Sequence, residues 1–171
     1  MKEEVAATLR SAISENDAHS SRIVKAMTVL SSHFPMTASS LAAMDDAAVA
    51  ILDQFLYRFS KMQDSLGTRF LPALFNLLED DEAPRPFLDI LDRLEQLRVL
   101  ESVETWQYFR EMRNRLAHDY PESVEQTVGT LNLLYTEMER FLRLYATARE
   151  ACARRLPLDS AAACPPFGSS L

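Results

Sequence analysis

With 171 residues the chain is long enough for one domain with a real core, and its 47% hydrophobic and 25% charged residues are ordinary for a soluble globular protein. Only three Gly are present, and β-branched residues are few beside Leu, Ala, Glu and Arg, which favours an all-α fold. A net charge of −7 argues against broad electrostatic binding of nucleic acid and leaves room for a narrow basic cleft or for a basic partner surface.

No apolar run is long enough to cross a bilayer, and Lys2-Glu3-Glu4 does not resemble the start of a signal peptide, so a cytoplasmic protein without a membrane association is expected. Cys152 and Cys164 have no metal-site spacing. His19, His33 and His118 are far apart, and no Walker loop, dinucleotide fingerprint or zinc motif occurs. Neither a metal nor a cofactor is expected.

Residues 3–16 read as an amphipathic helix with Val5, Leu9, Ala12 and Ile13 at helical spacing, broken or capped at Asn16-Asp17. A second helix is expected from about Asp17 to His33, using Ile23, Met27 and Leu30, and Pro35 closes it. Ser39–Met44 reads as a short turn. Residues 1–44 are thus expected as extra N-terminal helices added to a bundle of residues 45–155, either as core packing or as a cover or dock for a partner.

A long helix is expected from Asp45 to Glu79, with Ile51, Leu52, Phe55, Leu56, Phe59, Met62 and Leu66 as a wide apolar stripe. Pro72 lacks an amide donor, so a kink or break is predicted between Leu66 and Pro72. Arg58 and Lys61, three residues apart, are either solvated face residues or an extension of a phosphate-binding cleft. Residues 80–86 form an acidic, proline-bearing loop. A short helix follows from about Pro86 to Arg98, with Phe87, Ile90, Leu91, Leu94 and Leu97 inward.

The densest chemistry lies in Arg113-Asn114-Arg115-Leu116-Ala117-His118-Asp119-Tyr120. Ser102 is a plausible N-cap for its helix, with Glu104 in the first turn, and no Gly or Pro intervenes before Pro121. Trp106, Phe109, Met112, Leu116 and Ala117 share one face. Gln107, Arg110, Glu111, Asn114, Arg115 and His118 share the other. Arg113 projects into the apolar stripe, so it needs a partner group, a solvated cleft or another subunit. It is then either a paired interface residue or, with His118, one side of a phosphate site. On one ideal helix Arg113 and His118 lie about 140° apart, so a shared site needs a helix end or distortion near His118, or a second copy facing the first. Asp119 either orients His118 or serves the next helix N-terminus.

After Pro121 the last helix is expected to run to about Arg154, with Val124, Val128, Leu131, Leu134, Tyr135, Met138, Phe141, Leu142 and Tyr145 inward and an antiparallel partner in the motif helix. Residues 156–171, proline-bearing and small, are expected to be disordered.

The pattern Arg, four residues, His, one residue, Tyr, with polar Asn114 directly after the Arg, resembles the signature of the HEPN superfamily. The Tyr two places after His is similar to that of HepT-like toxins, which pair with a minimal nucleotidyltransferase antitoxin. The motif covers eight residues, and the helical pattern of Asp45–Arg154 is that of a HEPN-like antiparallel bundle. The resemblance implies a homodimer whose motifs line one cleft, metal-independent endoribonuclease activity, and an antitoxin that adenylylates the motif Tyr. Carried over by position, Arg113, Asn114 and His118 are the catalytic candidates and Tyr120 the modification site. Arg110, Arg115, Arg58 and Lys61 are candidate RNA contacts. Two other readings stand beside it: a non-catalytic subunit that binds a nucleotidyltransferase or its substrate, and a plain helical interaction module.

Overall fold

The chain adopts an all-α bundle, seen in a computed structural model that describes residues 2–81, 83–118 and 123–156, with backbone alone at 2, 117 and 118. The described residues contain no strand. Helix α1 (Lys2–Leu30) is continuous, where two helices were predicted. The Asn16-Asp17 pair does not break it because both side chains have tertiary partners. The Asn16 amide donates to the Ala12 carbonyl at 2.7 Å and to the Ser65 hydroxyl at 3.2 Å. Asp17 accepts from the Tyr145 hydroxyl at 2.7 Å and from Arg149 Nε at 3.0 Å. The Asn16 amide bonds back to its own helix and across to Ser65, and Asp17 is held by α7, so α1 runs through both positions. Leu9, Ala12, Ile23 and Leu30 bury the inner face of α1, chiefly along α3.

The predicted turn after Pro35 contains a short helix, α2 (Ala38–Ala42), capped reciprocally by Thr37 and Ser40. Met36 fixes its approach by exchanging two hydrogen bonds with the Asn132 side chain, at 2.7 and 2.9 Å.

Helix α3 (Asp46–Ser65) starts on an Asp45 cap and buries Leu52, Phe55, Phe59 and Met62. The predicted distortion before Pro72 is a π-helical turn over Leu66–Phe70, followed by α4 (Leu71–Glu79). Pro72 has no N–H for the residue-68 carbonyl, and the Leu71 N–H reaches back five residues to Leu66. The chain thus passes the proline by widening one turn rather than by breaking.

Helix α5 (Phe87–Gln96) places Ile90, Leu91 and Leu94 inward. The motif lies on α6 (Val103–His118), which is capped as predicted. Ser102 accepts from the Thr105 N–H at 3.0 Å, and the Glu95 carboxylate takes the Val103 N–H at 2.7 Å. Helix α7 (Val124–Ala153) packs against α6. Arg140 pairs with Glu101 at 2.6 Å near the start of α6, and the Phe109 and Phe141 rings lie 5.1 Å apart.

One cluster of buried apolar side chains extends from Ala6 to Leu156, and every helix except α2 contributes fully buried residues to it. The expected disordered tail beyond Leu156 lies outside the described residues. No helix among the described residues is long and apolar enough to cross a membrane.

Candidate functional site

Between Trp106 and Arg115 the buried and exposed sides of α6 follow the predicted faces. Trp106, Phe109 and Met112 are buried, whereas Arg110, Glu111, Asn114 and Arg115 are exposed. Arg113, predicted to need a partner, finds Asp64 near the end of α3. Its Nη2 lies 2.9 Å from that carboxylate, and its Nη1 donates to Asn114 Oδ1 at 3.2 Å. The Arg113 Nε is buried without a partner. The Arg113 and Asp64 side chains are 29% and 41% exposed, so water screens the pair and its worth to stability is about 1 kcal/mol or less.

Arg110, Arg113 and Asn114 line the mouth of a cavity of about 580 Å³ formed by α3, the π turn, α4, α5 and α6. Its apolar wall is Gly67, Pro72, Phe87, Ile90 and Trp106. A Cβ at position 67 would stand 3.0 Å from the Trp106 Cζ2, so the indole would have to give by a few tenths of an ångström to admit one. The Phe87 and Trp106 rings meet edge-on at 5.8 Å. Gln63, Asp64, Thr68 and Arg85 supply the remaining polar lining. Arg85 is tied to Asp81 at 2.6 Å; that hydrogen bond and charge raise the Arg85 pKa and hold the Asp81 carboxyl below its ordinary value. Arg110 makes no ion pair with any other described residue, which leaves a guanidinium available at the mouth.

The other candidates lie elsewhere or beyond description. Arg115 is exposed and does not line the cavity. Arg58 turns to α1, where its Nη1 is 3.3 Å from His19 Nδ1. Burial, and then the Arg58 charge, lower the His19 pKa, which favours the neutral ring that can accept from Arg58. Arg58 and Lys61 both sit over the exposed Tyr57 ring, at 5.5 and 5.7 Å from its centre, and neither lines the cavity. His118 is the final residue of α6, and its side chain is outside the described set. Tyr120 and Asp119 are outside the described residues altogether.

Among the described residues, no group of three or more His, Cys, Asp or Glu is placed to hold a metal ion. Cys152 is buried, and that burial pushes its thiol up to about 11, which leaves it protonated and unreactive near neutral pH.

Gln63, Asp64, Arg85 and Trp106 belong to the site and were not among the sequence candidates. Gln63 carried a usable signal, because it falls on the apolar stripe between Phe59 and Leu66, where an amide is out of place. Asp64 and Arg85 carried none, because only the fold brings them to α6. No family model matches the chain, and comparison with characterised proteins and with solved structures gives no match.

Proposed function

We propose that this chain is a metal-independent endoribonuclease of the HepT-like kind, the toxin of a pair in which a minimal nucleotidyltransferase acts as antitoxin. The observation that carries the reading is the setting of Arg113: a guanidinium half out of the core, at the mouth of a cavity, beside Asn114 and on the helix that ends in His118. Asp64 holds this guanidinium by Nη2. That leaves Nη1, shared only with the neighbouring Asn114, for a phosphate oxygen.

In this reaction a ribose 2′-oxygen attacks the adjacent phosphorus and the bond to the 5′-oxygen breaks. A base removes the 2′-hydroxyl proton and an acid protonates the leaving 5′-oxygen. The products are a 2′,3′-cyclic phosphate and a 5′-hydroxyl end. His118 serves as base or acid, with two copies in a homodimer supplying both. Arg113 stabilises the charge that gathers on the phosphorane-like state, and Asn114 positions the phosphate. Arg110 and Arg115 extend the contact along the RNA backbone. Adenylylation of Tyr120 by the antitoxin adds bulk and negative charge beside the site, which shuts out the RNA phosphate.

A second reading, a non-catalytic subunit that binds a nucleotidyltransferase or its substrate, is favoured by the cavity itself, whose aromatic and amide lining suits binding without requiring chemistry. Purified protein with Tyr120 unmodified by mass, incubated with RNA in EDTA beside His118→Ala, separates the two. Cleavage by the wild type alone, with cyclic-phosphate ends, supports the ribonuclease. No cleavage across a broad RNA set, or equal cleavage by the variant, supports the binding subunit.

A further inference from the structure

The cavity beside Arg113 has more chemistry than phosphate contact requires. Gln63 is 5% exposed and lines it, yet its side-chain amide makes no hydrogen bond to any described residue. Its amide is open to the cavity, where it can both give and take a hydrogen bond. Thr68 and Asn114 stand on the same lining with further donor and acceptor atoms. The rest of the lining is apolar and aromatic, through Phe87, Ile90 and Trp106. A flat heteroaromatic ring satisfies both sides at once: its faces meet the apolar wall and its edge meets the amide.

Charge defines the rest of the ligand. On this lining Arg85 is paired with Asp81 and Arg113 with Asp64, which leaves Arg110, in a chain whose net charge is −7. Arg110 has no ion pair among the described residues. An anionic group therefore belongs near Arg110. The volume of about 580 Å³ is within the range of small-molecule sites.

We propose that this cavity is a nucleoside monophosphate subsite, with the base against Gln63 and the apolar wall and the phosphate at Arg110. The unit is either a free mononucleotide or one nucleotide of an RNA strand. In the second case the proposal deepens the ribonuclease reading, and the subsite fixes which base lies next to the cleaved bond. It does not need His118.

Trp106 is the sole tryptophan and lines the cavity, so its fluorescence reports on this site alone. Wild-type protein in EDTA is titrated with AMP, GMP, CMP and UMP, with a trinucleotide RNA, with ribose 5-phosphate, and with a short poly-glutamate peptide. Equilibrium dialysis of the same ligands covers the case of a silent indole. Saturable binding of at least one nucleotide, with none by ribose 5-phosphate at the same concentration, is the expected result. Arg110→Gln weakens it about tenfold, as loss of one charge-assisted contact does. Gln63→Met, similar in volume, reduces the spread of affinities among the four bases to about twofold. Binding of the trinucleotide alone assigns the unit to RNA, and binding of mononucleotides assigns it to a free ligand as well. No binding of any nucleotide, binding of poly-glutamate instead, or unchanged affinity in both variants overturns the proposal. His118→Ala keeps the two readings apart: nucleotide binding without RNA cleavage in wild type sinks the ribonuclease and leaves the subsite, and cleavage without base binding does the reverse.

Discussion

Two Arg–Asp pairs tie distant parts of this bundle together, and they are built differently. Arg149 grips Asp17 through both Nε and Nη2, at 3.0 to 3.2 Å, and the Tyr145 hydroxyl adds a third bond to the same carboxylate. Both side chains are about five-sixths buried, at 16% and 15% exposure. Arg113 meets Asp64 through Nη2 alone, keeps Nε without a partner, and sits at a cavity mouth. The first pair is closed in the manner of a clamp, with its donors used and its charge compensated. The second is held by Nη2, with Nη1 on Asn114, on the lining of a cavity. Screened by water, it is worth little to folding.

The sharpest way to break this contrast is to change the Arg113 fork while keeping its charge. Arg113→Lys is expected to lower RNA cleavage by about a hundredfold or more, because a point charge cannot reproduce the planar fork at a developing phosphorane. Its urea midpoint should stay within about 1 kcal/mol of wild type. A variant that cleaves normally, or that unfolds several kcal/mol more easily, would place Arg113 with the structural clamps.

The converse experiment acts on the closed pair. Asp17→Ala strands the Arg149 guanidinium in a mostly buried place and is expected to cost about 3 kcal/mol of unfolding free energy. For a chain of this size that is a fall in Tm of roughly 6–12 °C. Asp64→Ala should cost about 1 kcal/mol or less while changing cleavage about tenfold, since it loosens Arg113 without removing it. Equal losses of stability at positions 17 and 64 would erase the distinction.

The same contrast explains what could be read from the sequence. Apolar stripes at helical spacing located α3, α5, α6 and α7 to within a few residues, because burial of one face is a local pattern. The missing amide of Pro72 announced a distortion for the same reason, though not its form as a π turn. The Asn16-Asp17 pair was misread as a break because its partners, Ser65 and Arg149, lie far along the chain. Arg113 declared its need for a partner, but not that the partner was Asp64, 49 residues earlier. Arg58 read as a solvated cation or a phosphate contact, and its packing against His19 depends on the α1–α3 contact. Local periodicity was legible throughout. Pairings across the bundle, which make both the clamp and the cavity, were not.

Gly67 probes the wall of the cavity. Alanine there gains helix propensity worth about 1 kcal/mol, and its Cβ meets the Trp106 ring at 3.0 Å. The indole is 1% exposed and packed against Phe87, so it has little room to retreat. Overpacking of this kind costs about 1–3 kcal/mol. The expected balance is a net loss of about 1 kcal/mol in urea unfolding, with a shifted Trp emission maximum. A stabilised Gly67→Ala with unchanged emission would mean that the wall yields freely and does not set the shape of the cavity.

The smallest effect is a pH dependence located away from both pairs. Burial, and then the Arg58 charge, hold the His19 pKa below its ordinary value of 6.5, against the opposing pull of Glu15. In the unfolded chain the ring takes a proton near that ordinary value, whereas the folded protein resists it. The contribution of His19 is therefore fully present above about pH 6.5 and is lost as pH falls from there through the lower folded value. Other groups contribute to the pH dependence as well, so the useful quantity is a difference. The gap in unfolding free energy between pH 7.5 and pH 5.5 should be narrower in His19→Gln than in wild type. An equal gap in the two proteins would mean that His19 charges as freely when folded as when unfolded. In that case Arg58, its neighbour at 3.3 Å, would be oriented by packing alone and not by a neutral imidazole acceptor.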